Sequence, residues 1–424
     1  MNLYRDNHQD FQPDFLYCQP SATTTLPSCV EAGNYWQVFG SGVGWGDVSF
    51  TSAFGEYLER KHFYLDIQST SYDQLRSSLS PQEVNEFILA FSQTSHQKIY
   101  KNALLQQKFK LSRAWRIVDF TPCNIPTVCI SLSPLIDCKD DNILPNRDTC
   151  GCCIHQTIDK AIFGSIKELL ERQFLLRFWL TDTCRKKIKN TQALEALNKS
   201  YARNLFEALS NAGEICILDI SDTNFPGICI LIIYGSPNKH RSVKYCAGMS
   251  YSECFGDALE KSILELWQTY RFMNNFVVSN QRLETIKDHY LRHFLSCNNY
   301  DTYLEVASAS SSPSTSTKSA PLTLTSLIDK VRSLSLNGYI YLESIPLPHK
   351  SQVFASKYIS PNLFLHMNNA SNINLDNSYS AQFKNTTKNT DKKKWSLSHE
   401  QNIRRAPHTK NPLNNIHTNE RTNQ

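Results

Sequence analysis

Apolar positions recur densely over residues 1–300, thin out across 301–321, return between 322 and 367, and fade over 368–424. Within these blocks the period changes often. Phe50, Ala53, Phe54, Tyr57 and Leu58 fall at helical spacing, as do Ile162, Ile166, Leu169, Leu170 and Gln173, and then Leu259, Ile263, Leu266 and Trp267. Ser80-Pro81-Gln-Glu83 is a capping-box start with proline at the first helical position, which predicts a helix to about Gln107. A second scaffold helix is predicted from about Thr191 to Ser210, closed by Asn211-Ala-Gly213. Cys216-Ile-Leu-Asp-Ile and Cys229-Ile-Leu-Ile-Ile-Tyr are β-branched runs around Asn224-Phe-Pro-Gly227. Trp115-Arg-Ile-Val-Asp-Phe and Thr127-Val-Cys-Ile-Ser-Leu flank Pro122 and Pro126 in the same way, so both pairs are predicted as strands. Such irregular alternation predicts an α+β (mixed α/β) body.

The break at Ala307-Ser-Ala-Ser-Ser-Ser-Pro313 and onward to Pro321 has too little apolar surface to offset its ordering entropy, so 301–321 is expected to be a linker or long loop. In 322–367, Leu-Thr-Ser-Leu-Ile-Asp-Lys-Val predicts a helix and Gly338-Tyr-Ile-Tyr-Leu-Glu-Ser a strand. Residues 368–424, rich in Asn and Lys, are expected to be disordered. That tail also accounts for the charge. The chain carries a formal +5, and the segment from His366 to Gln424 holds nine Lys or Arg against four Asp or Glu, so 9 − 4 = +5 and the body is neutral. A nucleic-acid surface is therefore not expected. No stretch has the roughly 18 to 20 apolar residues of a membrane span and the start lacks a signal-peptide pattern, so no membrane partner is expected and the protein is predicted to be cytoplasmic. The cysteines are then expected as reduced thiols, and Cys150-Gly-Cys152-Cys153 lacks the second pair that would complete a zinc set.

The chemistry sits on the polar sides of three helices. Glu56, Glu59 and Arg60 lie off the first apolar stripe, and Glu168, Glu171 and Arg172 off the second, each pair of carboxylates one turn apart. Read singly, such a Glu-x-x-Glu-Arg face is solvated charge, but its repetition suggests shared work. Lys261, Glu265 and Gln268 add a third stripe at i, i+4 and i+7. If the faces meet, five carboxylates need counter-charge. Mg²⁺ bridging carboxylates to nucleotide phosphates supplies it. Gly40-Ser-Gly42-Val-Gly44-Trp-Gly46, just before the first helix, could turn backbone N–H groups toward an anion, although it is neither a Walker A loop nor Gly-x-Gly-x-x-Gly. His289 and His293 lack the glutamate of His-Glu-x-x-His, and no Gly-x-Ser-x-Gly elbow occurs.

These helices, in this order, resemble the YcaO family. Its Ser-Ala-x-x-Glu-x-x-Glu-Arg helix is matched by Ser52 to Arg60, its second Glu-x-x-Glu-Arg helix by Ala161 to Arg172, and its Arg-x-x-x-Glu by Lys261-Ser-Ile-Leu-Glu265. Arg147-Asp-Thr-Cys-Gly-Cys152, Glu265-Leu-Trp-Gln-Thr-Tyr270, Arg292 through Tyr300 and Phe364-Leu-His-Met-Asn-Asn369 narrow it to the family's peptide cyclodehydratases, from about Asn34 to Leu375. The resemblance implies a YcaO-type ATP-binding fold with mixed sheets. ATP would be bound by Glu56, Glu59, Arg60, Glu168, Glu171, Arg172, Lys261, Glu265 and Gln268, and Mg²⁺ by the five glutamates among them. It implies ring closure of Cys, Ser or Thr in a precursor peptide of a microcin-type antibiotic, alongside a leader-binding partner subunit and an FMN-dependent azoline dehydrogenase. Departures are Lys261 for arginine, Cys153-Ile-His155-Gln156 before the second helix, Lys160 for a glutamate, and an end, Asn-Glu-Arg-Thr-Asn-Gln424, that is not proline-rich. They leave the proton-moving residue unassigned and keep two other readings open: a degenerate nucleotide-binding scaffold, and a thioamide-forming enzyme.

Overall fold

The computed structural model describes residues 12–384, apart from 20, 22, 36–37, 135–138, 287–288, 312–319, 349–350 and 369–371. Helices and sheets interleave as the sequence predicts, in layers around one long helix, Ile158–Thr181. On one side lies a six-stranded sheet. Its path runs Ser71–Gln74, Lys108–Arg116, Tyr339–Pro346, Gln352–Ile359, Cys152–His155, with Pro122–Pro126 paired to Lys108–Arg116. Strand alternation covers both faces: Ile340 and its cross-strand partner Tyr358 pack toward Leu169, Leu170 and Phe174, while Tyr339 and Ile359 pack toward Phe87 and Phe91 of the helix Pro81–Thr94. On the other side of the long helix is an antiparallel sheet ordered Tyr245–Ser252, Ile228–Gly235, Glu214–Asp219, Lys186–Ile188. Leu231 and Tyr251 face the long helix, with Phe174 and Tyr251 rings 5.2 Å apart, and Ile230, Ile232 and Tyr234 face the helix Phe255–Val278. A helix apolar all round is what a two-sided burial requires.

The third motif helix carries the last piece, a three-stranded antiparallel sheet of Phe15–Gln19, Ser28–Gly33 and Phe39–Gly44. Trp267 Nε1 donates to the Pro27 carbonyl at 3.1 Å, and Arg271 donates to Gln19 Oε1 at 3.1 and 3.2 Å. The sheet's other contact is the first motif helix, Val48–Lys61.

Several expectations need correction. The capping box at Ser80 is present, but its helix ends at Thr94 and a separate one spans Lys101–Gln106. Thr94 and Ser95 hydroxyls donate to the carbonyls of Ile143 and Asn142 at 2.8 and 3.0 Å, which pulls Ser95 into an extended conformation. The helix predicted over 191–210 is two, Asn190–Ala196 and Ala202–Ala212, separated by a turn in which Ser200 Oγ accepts from Ala202 N and donates to Glu260. Around the prolines the strands shift: Lys108–Arg116 ends before a turn in which Phe120 has φ 56°, Pro122–Pro126 is itself an edge strand, and Thr127–Cys129 is a 3₁₀ turn. Proline costs no ladder bond on an edge. Residues expected as linker include the helix Tyr300–Ala307 and Ser310–Ser311, which pairs with Thr183–Cys184. The start of the expected tail is also built in: Ser378–Lys384 is helical, and Tyr379 and Phe383 are buried in the main core. Residues 385–424 lie outside the described ones. The pairs Glu214–Asp219 with Ile228–Gly235, and the helix Leu324–Ser333 with Tyr339–Pro346, form as read.

Candidate active site

Gly40 and Gly42 lie in the strand Phe39–Gly44 rather than in a loop, and their place against the first motif helix is steric. A Cβ on Gly42 would sit 2.1 Å from the Ser49 carbonyl oxygen, and one on Gly40 2.1 Å from Tyr57 N. Only a hydrogen there lets the strand lie on the first motif helix. That closeness lets Ser41 N donate to Glu56 Oε2 at 2.7 Å, with Ser41 Oγ 3.2 Å from the same oxygen. Arg60 Nη2 holds Glu56 Oε1 at 2.8 Å, and Gln268 of the third helix donates to Ser41 Oγ. Phe50 and Phe54, expected as part of the buried stripe, are instead exposed, since Ala53, Tyr57 and Leu58 alone fill the space beneath the sheet.

The second motif helix places Glu171 inward. Its Oε2 accepts from Tyr251 N at 2.6 Å and lies 3.7 Å from Lys167 Nζ. Glu168 faces Arg172 at 3.5 Å, while its Oε2 and Arg172 Nε are buried without a hydrogen-bond partner. Glu265 Oε2 accepts weakly from Met249 N at 3.4 Å. These side chains converge on two adjoining cavities of about 540 and 340 Å³. The larger takes Glu56, Glu59, Arg60, Glu168, Arg172, Glu265 and Gln268; the smaller takes Glu168, Glu171, Arg172, Lys261, Glu265 and Gln268. Every candidate site residue therefore lines one shared space.

Its electrostatics are those of acids short of counter-charge. Burial pushes the Glu59 carboxyl up to about 7, resisted by Arg60 and reinforced by Glu56. Burial pushes Glu168 up to about 8 against the pull of Arg172. Glu265 is driven upward too, by burial and then by Glu171, but its side chain opens onto the cavity and water there softens the effect. Among the described residues, no three His, Cys, Asp or Glu side chains stand close enough to form a metal cage by themselves. Carboxylates spread around a cavity, one with an orphaned buried oxygen, suit a hard ion that takes most of its ligands from phosphate and water. The chain's donors fit Mg²⁺ with a triphosphate.

Of the departures, Gln156 and Lys160 are exposed, and neither they nor His155 line either of these two cavities. Sequence reading missed Ser41, visible only as the serine between packing glycines, and Lys167, which meets Glu171 one turn later. It also missed Glu31 and Arg271, which carry no local signal, whereas Cys152, from the cysteine group singled out in the sequence, does line the larger cavity. Cys152 and Cys150 are buried free thiols, like the other described buried cysteines, and His293 is exposed.

Residues 47–363 match the YcaO cyclodehydratases, described as ATP- and Mg²⁺-binding, so the chain belongs to that family and is an ATP-dependent cyclodehydratase. Among individual proteins, it is 32% identical over 385 residues to the microcin B17-processing protein McbD of Escherichia coli, covering 89% of this chain and 95% of that protein. It superposes on a chain of the E. coli microcin synthetase McbBCD complex with pro-MccB17 bound, at TM-score 0.79 and 31% identity, over 88% of this chain and 94% of that one. The YcaO protein of Methanopyrus kandleri, bound with AMPPCP and Mg²⁺, shares the fold at TM-score 0.52 and 11% identity, over 83% and 86%. Among the described residues no helix is long and apolar enough to cross a membrane.

Proposed function

We propose that this chain closes Cys, Ser and Thr residues of a ribosomally made precursor peptide into thiazoline and oxazoline rings. Glu56, Glu59, Glu168, Glu171 and Glu265 hold Mg²⁺, and these with Arg60, Arg172, Lys261 and Gln268 hold ATP. The observation that carries this reading is the convergence of all three motif faces on the two adjoining cavities. The side-chain sulfur or oxygen attacks the preceding amide carbon, the amide oxygen takes the γ-phosphoryl group, and C–O cleavage releases phosphate as the ring C=N forms. Water is thus removed as phosphate, and ADP is the second product. Mg²⁺ would neutralise charge on the transferring phosphoryl group. Arg60, Arg172 and Lys261 supply fixed positive charge around it, in a space whose protein walls strengthen each interaction. Lys261 does so as a point charge, without the planar fork of arginine.

McbD is found in a complex with partner proteins and with pro-MccB17. By likeness, this chain works with a leader-binding subunit on a leader-bearing precursor, and an FMN-dependent dehydrogenase oxidises its azolines to azoles. The test is mass spectrometry of the precursor incubated with the assembled complex and ATP: one water lost per ring, with ADP formed in step. Glu171→Gln and Glu265→Gln should each cut the rate by about 100-fold or more. Unchanged dehydration in both variants would sink the assignment, ATP binding without turnover would favour a scaffold, and a gain of mass would indicate sulfur exchange.

A further inference from the structure

Ring closure needs a group that takes the proton from the attacking thiol or hydroxyl. We propose that Glu31 is that catalytic base. The inference rests on the cyclodehydratase reading above.

Glu31 lies in the strand Ser28–Gly33 and lines the larger cavity, yet belongs to none of the three motif helices. The antiparallel register sets it directly opposite Ser41 on one side and Tyr17 on the other. Directly opposed residues have Cβ atoms about 5 Å apart. Ser41 holds Glu56 and accepts from Gln268, so Glu31 stands one residue away from the end of the nucleotide machinery without being part of it. Two positions along the same strands come Phe15, Gly33 and Phe39, whose two rings lie 5.8 Å apart and are exposed. Glu31 is thus placed on the cavity wall between the exposed pair Phe15 and Phe39 and the Ser41 that holds Glu56.

The other proton acceptors along the walls are engaged or unsuited. Glu56 is tied to Arg60 and Ser41, Glu168 faces Arg172, and Glu171 accepts from Tyr251 N. Those carboxylates and their neighbours Glu59 and Glu265 face the metal and nucleotide. No histidine lines either cavity among the described residues. The Cys29 thiol is pushed up to about 11 by burial, and Cys152 is raised by burial as well, so both remain thiols near neutral pH. Glu31 makes no ion pair or hydrogen bond with the described residues, and burial alone raises its carboxyl above the usual range. An unengaged carboxylate of raised basicity, open to the cavity, is what a general base requires. In the step, the S–H or O–H bond breaks, its proton passes to a Glu31 oxygen, and the new C–S or C–O bond forms as the amide oxygen is phosphorylated. The ring N–H proton leaves later, with phosphate, as the C=N bond forms.

The experiment uses the assembled complex with its precursor peptide, Mg²⁺ and ATP. Glu31→Gln keeps shape and hydrogen-bonding capacity; ring formation should fall by about 100-fold or more, while Mg-ATP affinity measured by calorimetry stays within about twofold of wild type. Glu31→Ala should be equally slow and should regain activity when formate is added, because a small carboxylate can occupy the vacated space. Near-wild-type ring formation by Glu31→Gln overturns the proposal. So does a loss that formate fails to restore in Glu31→Ala, or a loss accompanied by weakened nucleotide binding, since either gives Glu31 a structural role. Wild-type complex that removes no water from the peptide would instead overturn the cyclodehydratase reading itself.

Discussion

Proton release on loading Mg-ATP follows directly from the way the motif carboxylates are buried. Metal-binding carboxylates must be ionised, yet burial holds Glu59 near 7 and Glu168 near 8 in the free protein. At pH 7 the first is then about half protonated and the second about nine-tenths, so loading should expel between about one and two protons from this pair. Glu265, open to the cavity, adds less. The sign is fixed: affinity for Mg-ATP rises as pH climbs through 7 to 8, and levels off above that. Calorimetric titration of Mg-ATP in two buffers of different ionisation enthalpy, at pH 7 and again near pH 9, reads the number of protons from the difference in apparent heat. Release should be largest at pH 7 and small near pH 9, and Glu168→Gln should remove most of one proton. Equal heats in both buffers at pH 7 would refute the reasoning, as would proton uptake.

The same groups predict that stability of the nucleotide-free protein declines as pH rises from about 4.5 to 8, because the folded state keeps protons the unfolded chain has lost; the span is on the order of a few kcal/mol, read from denaturant midpoints, and added Mg-ATP should flatten it. Gly42→Ala puts a Cβ 2.1 Å from the Ser49 carbonyl oxygen, so it should cost about 1–3 kcal/mol and weaken Mg-ATP binding by displacing Glu56; an unchanged midpoint would mean the strand and helix part freely. Gln173, fully buried, donates to the Phe364 carbonyl at 3.2 Å and accepts from Phe364 N at 2.8 Å, pinning the C-terminal segment to the second motif helix. Gln173→Leu strands both backbone groups and should destabilise by roughly 2–4 kcal/mol in chemical unfolding.

The site was legible because its residues obey short-range rules. Glu56, Glu59 and Arg60, like Glu168, Glu171 and Arg172, share a helix face by spacing alone; each face by itself would be solvated charge, and it is their repetition on three helices that suggests a shared site. What spacing cannot convey is which surface covers a helix. Phe50 and Phe54 obey the same period as Ala53 and Tyr57, but the glycine strand is too narrow to cover them. At the breaks after Thr94 and Ala196, hydroxyls reach carbonyls and carboxylates distant in sequence, Thr94 to Ile143 and Ser200 to Glu260, contacts that no local propensity marks. Tyr379 and Phe383 read as isolated aromatics in a polar tail; their value comes from Asp222, whose carboxylate accepts from Tyr379 Oη at 3.0 Å, and from the core around Phe364. Glu31 is the same case at the site: a strand residue whose place in the cavity depends on two neighbouring strands and a helix from the far end of the body.

Ring closure by this cavity is tested most directly by following the precursor's mass and ADP together in one reaction with wild type and Glu171→Gln. One water lost and one ADP formed for each ring by wild type, with neither in the variant, is the expected result. Water loss from the peptide at the wild-type rate by Glu171→Gln, or ADP formation without any change in peptide mass by wild type, would contradict it.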